Sequence, residues 1–141
     1  MTALRDRISA ALAPFVQVRS PGAADNGDGS FGFDYGAVPF ALQVVTLTEG
    51  LDVVSLTGVL AWDLPLGDEV RTRVASAAEA LQFGSIHLIE RETVADVIVR
   101  YSFPATGLED TPLTTMLLLV LDGIAEARET VAGASAPEGD A

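Results

Sequence analysis

The chain has 141 residues, and its 20 acidic residues outnumber 8 basic ones, all arginine, so that the net charge is −12. Such an acidic surface argues against nucleic acid or an anionic membrane as a partner, since both are bound through clustered Lys and Arg. The absence of cysteine excludes disulfides, thiol catalysis and zinc–thiolate sites. A 49% apolar composition predicts one packed globular domain.

Two features of the sequence bear on the cellular compartment of the protein. No run approaches the ~20 residues that a membrane span needs. Near the N-terminus, Arg5, Asp6 and Arg7 interrupt the apolar core that a signal peptide requires. The sequence therefore predicts a cytoplasmic protein.

The first helix is predicted over residues 2–13, with Leu4, Ile8 and Leu12 on one face and Pro14 at its end. A loop then covers residues 15–30. Its Asp/Asn/Gly cluster invites comparison with a calcium-binding loop, but both end ligands of an EF-hand loop are missing. A turn is therefore the better interpretation of the cluster.

Three strands follow, over residues 31–35, 38–48 and 52–62, and the short turns between them predict an antiparallel meander. Both faces of this sheet carry apolar residues, so we expect helices on one face and a partner on the other. The candidate client-binding face is the stronger apolar set, which comprises Phe33, Phe40, Leu42, Val54, Leu56 and Trp62. The opposite face carries Val45, Leu47, Val53 and Val59.

The second half begins with a helix over residues 68–82, capped by Asp68, and continues as a hairpin of strands 85–91 and 95–103. The last helix is predicted over residues 111–131, with Thr111 as its N-cap. Its apolar stripe is too wide for one solvated helix and needs cover from its own domain or from a second copy. This candidate dimer or packing stripe comprises Met116, Leu117, Leu118, Val120 and Leu121.

The element order is α-β-β-β-α-β-β-α, which predicts an α+β fold with a five-stranded antiparallel sheet and helices packed on it. A single domain is expected over residues 1–132. Residues 133–141 are small, polar and proline-containing, which predicts a flexible C-terminal tail.

This order resembles the type III secretion chaperones and the YbjN-type domains. The resemblance covers residues 31–131 and is strongest in four segments: 74–82, FGSIHL at 83–88, VIVRYSFP at 97–104, and 113–127. It implies a small acidic homodimer of the chaperone or adaptor type. In that family an apolar sheet surface takes up the client chain, and helix contacts join two protomers.

The sequence contains no recognisable catalytic motif. His87 is the only histidine, and a lone histidine on a strand is more often structural than catalytic. Capping and solvation explain Asp63, Asp68 and Glu69 better than an acid–base pair does. The sequence predicts no enzyme, no metal site and no cofactor.

Two functions remain open from the sequence. The first is a non-enzymatic, chaperone-like homodimer that binds an extended peptide segment of a client protein. The second is a small-molecule-binding or regulatory domain, in which the sheet and helices enclose a pocket. Phe33, Tyr35, Trp62 and Tyr101 are candidates for lining a ligand groove, although aromatic residues more often fill the core. The two functions differ in the position of the apolar surface that the core does not use. It forms an exposed groove on a dimer in the first and an enclosed cavity in a monomer in the second.

Overall fold

The computed structural model describes residues 3–18 and 30–132. Thr2, the glycine-rich part of the first loop and the predicted tail at 133–141 lie outside the described residues. The helices are α1 (Leu4–Leu12), α2 (Asp68–Ala80) and α3 (Asp110–Ala132). The strands are β1 (Gln17–Val18), β2 (Ser30–Tyr35), β3 (Val38–Thr48), β4 (Leu51–Pro65), β5 (Ser85–Arg91) and β6 (Val94–Pro104).

The strands form one antiparallel sheet in the order β1-β2-β3-β4-β6-β5. The predicted α+β fold and its element order are confirmed. The structure adds the two-residue strand β1, which lies inside the predicted loop and pairs with β2 at the sheet edge. The longest strand, β4, lies between β3 and β6 and so joins the two halves of the chain.

The three helices among the described residues lie on the same face of the sheet. Helix α3 contacts β3, β4, α1 and α2, and α2 also contacts β5. The core between these layers combines one face of the sheet with the inner sides of α1 and α3. We call this side of the sheet the inner face and the opposite side the outer face.

Helix α3 supplies the largest helical share of the core. Its buried residues recur at helical spacing and comprise Leu113, Leu117, Val120, Leu121, Ile124, Ala127 and Val131. The side chain of Arg7 fixes its start from α1, donating to Asp110 Oδ1 at 2.9 Å and to the Leu108 carbonyl at 2.6 Å. Near its end, Arg73 of α2 donates to the Val131 carbonyl at 3.3 Å. Both ends of α3 are therefore tied to other elements.

The predicted helix caps need correction. Helix α3 begins at Asp110, so Thr111 is a helical residue and not the N-cap. In α2, Gly67 occupies the N-cap position and Asp68 is the first helical residue. Asp68 and Asp110 both remain in a first turn, where a carboxylate interacts favourably with the positive end of the helix dipole.

Gly58 permits the closest packing in the sheet. It faces Phe40 across the β3–β4 pair, and a Cβ atom at this position would lie 2.7 Å from a carbon of the Phe40 ring. The other side of that ring stacks on Phe33, with ring centroids 5.3 Å apart. Glycine at position 58 therefore gives the aromatic pair its space.

Candidate functional site

The predicted client-binding face is wrong for five of its six residues. They lie on the inner face beneath the helices and are buried, so no client can reach them in this structure; they are Phe33, Phe40, Leu42, Val54 and Leu56. Apart from Trp62, alternation sorted these strand residues correctly into two faces. The helices cover the more apolar of the two, because that face loses most by contact with water.

Trp62 is the exception, and an irregular pairing explains it. Regular alternation from Leu56 would place Trp62 on the inner face. The register shifts between Val59 and Ala61, so that Leu60 and Ala61 both pack against the core. Trp62 consequently lies on the outer face with 63% of its surface exposed.

The outer face carries two apolar zones separated by a polar centre. One zone contains the paired residues Val45 and Val53, with the exposed Leu47 nearby. The other contains Val59, Trp62, Ile89 and Ile98, of which Ile98 is largely buried by its neighbours. The centre is formed by small or polar side chains, namely Gln43, Ser55, Thr57, Arg100 and Ser102. In the described part of the chain, no helix covers this face.

An ion cluster holds the strand end that carries Trp62. Arg91 donates to the carboxylates of Asp63 and Asp96, and its distance to Asp96 is 2.8 Å. The backbone N–H of Asp63 also donates to Asp96, at 2.9 Å. Asp63 has a φ of +54°, a conformation that is uncommon outside glycine. The cluster therefore stabilises the irregular part of β4 beside Trp62, where the register with β6 shifts.

The hydrogen bond from the Asp63 backbone, followed by that from Arg91, holds the pKa of Asp96 below its ordinary value of 3.8. The folded state thus favours the charged carboxylate, and the resulting stability is present above pH 3.8 and lost as the pH falls through the lowered pKa. We expect Asp96→Asn to destabilise the protein at pH 7 and much less near about pH 2. Urea midpoints of both proteins at the two pH values test this; an equal difference at both would contradict it.

The stripe at residues 116–121 is covered inside its own domain. Leu117, Val120 and Leu121 are in the core, while Met116 and Leu118 are half-buried against it. Of the two forms of cover that the sequence allowed, the structure shows the internal one. The side chain left exposed in this run is Leu119, at 56%, which the sequence prediction had not singled out. Its position two residues beyond Leu117, on the opposite side of the helix, was the available signal.

The remaining candidates do not converge on a reactive centre. His87 is exposed on β5, where it pairs with Ile98. Phe33 is buried in the core, and Tyr35 and Tyr101 are half-buried against it, which fits core packing better than a ligand groove. Among the described residues, no group of three His, Asp or Glu side chains is arranged to hold a metal ion. The Asp/Asn/Gly cluster of the first loop, which was compared with a calcium-binding loop, lies outside the described residues.

No protein-family model matches the sequence, and no curated protein matches it either. The resemblance to the YbjN-type domains and type III secretion chaperones therefore stays a prediction, based on element order and apolar spacing. None of the described helices combines the length and the apolar composition needed to cross a membrane.

Proposed function

We propose that this protein is a non-enzymatic, cytoplasmic binding module that holds an extended segment of a client protein on the outer face. The observation that carries the proposal is the exposure of Trp62 on a sheet face that no described helix covers. Large aromatic side chains often dominate the energy of protein interfaces. Exposed apolar surface of this kind is a typical sign of a docking site.

The arrangement of the face favours a particular client chemistry. Val53 and Val59 lie on the same strand, roughly 20 Å apart at about 3.3 Å per residue, so the two apolar zones suit one extended segment with an apolar group at each end. The net charge of −12 attracts basic chains and raises their association rate. We therefore expect an extended client with apolar ends and interspersed Arg or Lys.

The homodimer that the family resemblance implies is retained as part of the proposal. Leu117, Val120 and Leu121 are in the core, so the central residues of the stripe at 116–121 are not free to form its seam. A seam away from Trp62 leaves the outer face of each protomer open to the client. Solution mass measured over a range of protein concentrations tests this part of the proposal separately.

Trp62 is the only tryptophan in the sequence, so its fluorescence reports directly on the outer face. We expect a peptide of about ten residues, alternating valine with arginine, to shift its emission to shorter wavelength as the indole leaves water. Val59→Asp is expected to weaken binding about ten-fold, because a carboxylate replaces an apolar contact. The matched control, Leu119→Asp, adds the same charge on the helical side and should leave this affinity unchanged.

Three results would contradict the proposal. They are an unchanged Trp62 emission, equal affinity in Val59→Asp, and equal binding of a peptide in which serine replaces every valine, since that peptide keeps the charge but loses the apolar contacts. An emission shift that follows protein concentration alone would instead assign the outer face to a second copy of the chain.

A further inference from the structure

An apolar recess lies on the helical side of the molecule, between the end of α2 and the middle of α3. Its floor consists of the small residues Ala77, Gly123 and Ala127, and its walls include Leu81, Phe83 and Leu119. We call it the α2–α3 groove. It opens to solvent along the exposed side chain of Leu119.

The size of the groove suits one apolar anchor. Its volume is about 180 Å³, comparable with the ~150 Å³ cavities that accept a benzene ring. Leucine- and phenyl-sized side chains therefore fit, whereas a longer ligand has to lie partly outside. Leu119 at the rim extends the apolar contact beyond the recess.

An acidic ridge borders the groove on α3. Asp122, Glu126 and Glu129 are spaced so that they share one helical face, and Glu126 also lines the groove itself. Asp122 accepts a hydrogen bond from Tyr35. In the part of the chain that the structure describes, none of the ion pairs involves Glu126 or Glu129.

We propose that the α2–α3 groove docks a basic amphipathic helix of a partner protein, with an apolar side chain in the recess and Arg or Lys on the acidic ridge. Helices that place apolar anchors at i, i+3 and i+4 into a groove are an established recognition mode. The charge pattern discriminates between occupants. A second copy would bring a like-charged ridge to the same place, and the chain's own segment 133–141 carries two acidic residues and no basic one.

This site is independent of the proposed client binding on the outer face, because the two surfaces lie on opposite sides of the sheet. The probe is a fluorescently labelled helical peptide of about 15 residues, with leucines on one face and arginines flanking them. We expect its binding to weaken about ten-fold in a Glu126→Arg/Glu129→Arg variant. The control variant, Glu49→Arg/Glu92→Arg, makes the same change of charge in two turns away from α3 and should bind within about two-fold of the parent.

Leu119→Asp separates apolar anchoring from general charge attraction. It makes the surface more acidic, so a purely electrostatic association with a basic peptide would strengthen. The proposed docking requires the Leu119 wall, and we expect binding to weaken about five-fold or more instead. Fluorescence anisotropy of the labelled peptide measures both variants.

Several outcomes would overturn the inference. Unchanged or tighter binding by Leu119→Asp would show that the peptide does not bind in the groove. Equal binding by the two double variants would show that the acidic ridge does not take part. A peptide that shifts the emission of Trp62 and loses affinity in Val59→Asp would be bound on the outer face. That last result would leave the proposed function standing while removing this site.

Discussion

Replacing Leu117 by aspartate is expected to unfold the protein or to leave it with only a small fraction of its stability. The Leu117 side chain has 0% exposure and lies in the core between α3 and the sheet. Burying a carboxylate there without a partner costs several kcal/mol, in addition to the lost apolar contacts. Domains of this size are typically stable by about 5–15 kcal/mol, so one such change consumes much of the margin.

Leu119→Asp is the matched control, since it makes the same chemical change two residues along the same helix. Leu119 is 56% exposed, so the substitution should change the protein's free energy of unfolding by about 0.5 kcal/mol or less. Urea unfolding followed by circular dichroism measures both variants. A folded Leu117→Asp protein, or equal effects at the two positions, would mean that the core of α3 is not packed as described.

Gly58→Ala is the second substitution with a large expected effect, although it adds a single methyl group. The new Cβ would lie 2.7 Å from a Phe40 ring carbon and 3.3 Å from a Val38 methyl carbon. The ring cannot retreat, because Phe33 stacks on its other side and both rings are buried. Overpacking of this kind costs about 1–3 kcal/mol.

A double-variant cycle identifies the contact responsible. Phe40→Leu removes the ring that the new methyl group meets, so the double variant should be more stable than the sum of the two single effects predicts. The expected coupling is about 1 kcal/mol, measured from urea midpoints. Strict additivity would show that the cost of Gly58→Ala does not come from Phe40, which leaves the Val38 contact at 3.3 Å or the backbone as its source.

Periodicity accounts for most of the fold that was predicted. The strands at residues 38–48 and 85–91 have the same bounds in the structure as in the prediction. Helix ends were less predictable, because Asp68 and Thr111 carry capping side chains but lie one position inside their helices. Hydrogen bonding over the whole first turn decides such a boundary, and a single residue type does not.

The candidate site was less accessible from the sequence than the fold. Alternation separated Leu42 and Val54 from Val45 and Val53, but a strand pattern alone does not show which face the helices cover. The predicted client-binding set lies on the stronger apolar face, which the chain instead buries for itself. Trp62 was further displaced by the register shift in β4, a consequence of pairing with β6 that a single strand sequence does not reveal.

The position of α3 in the chain has a consequence for synthesis. The six strands that the structure describes leave the ribosome before the helix that covers their inner face. Until residues near Ile124 emerge, a nascent chain has the aromatic and aliphatic side chains of a nearly complete sheet with no lid over them. Such an intermediate is prone to aggregation and is a natural substrate for general folding factors. Premature termination within α3 should therefore yield insoluble or rapidly degraded fragments, even though every strand of the sheet has already been made.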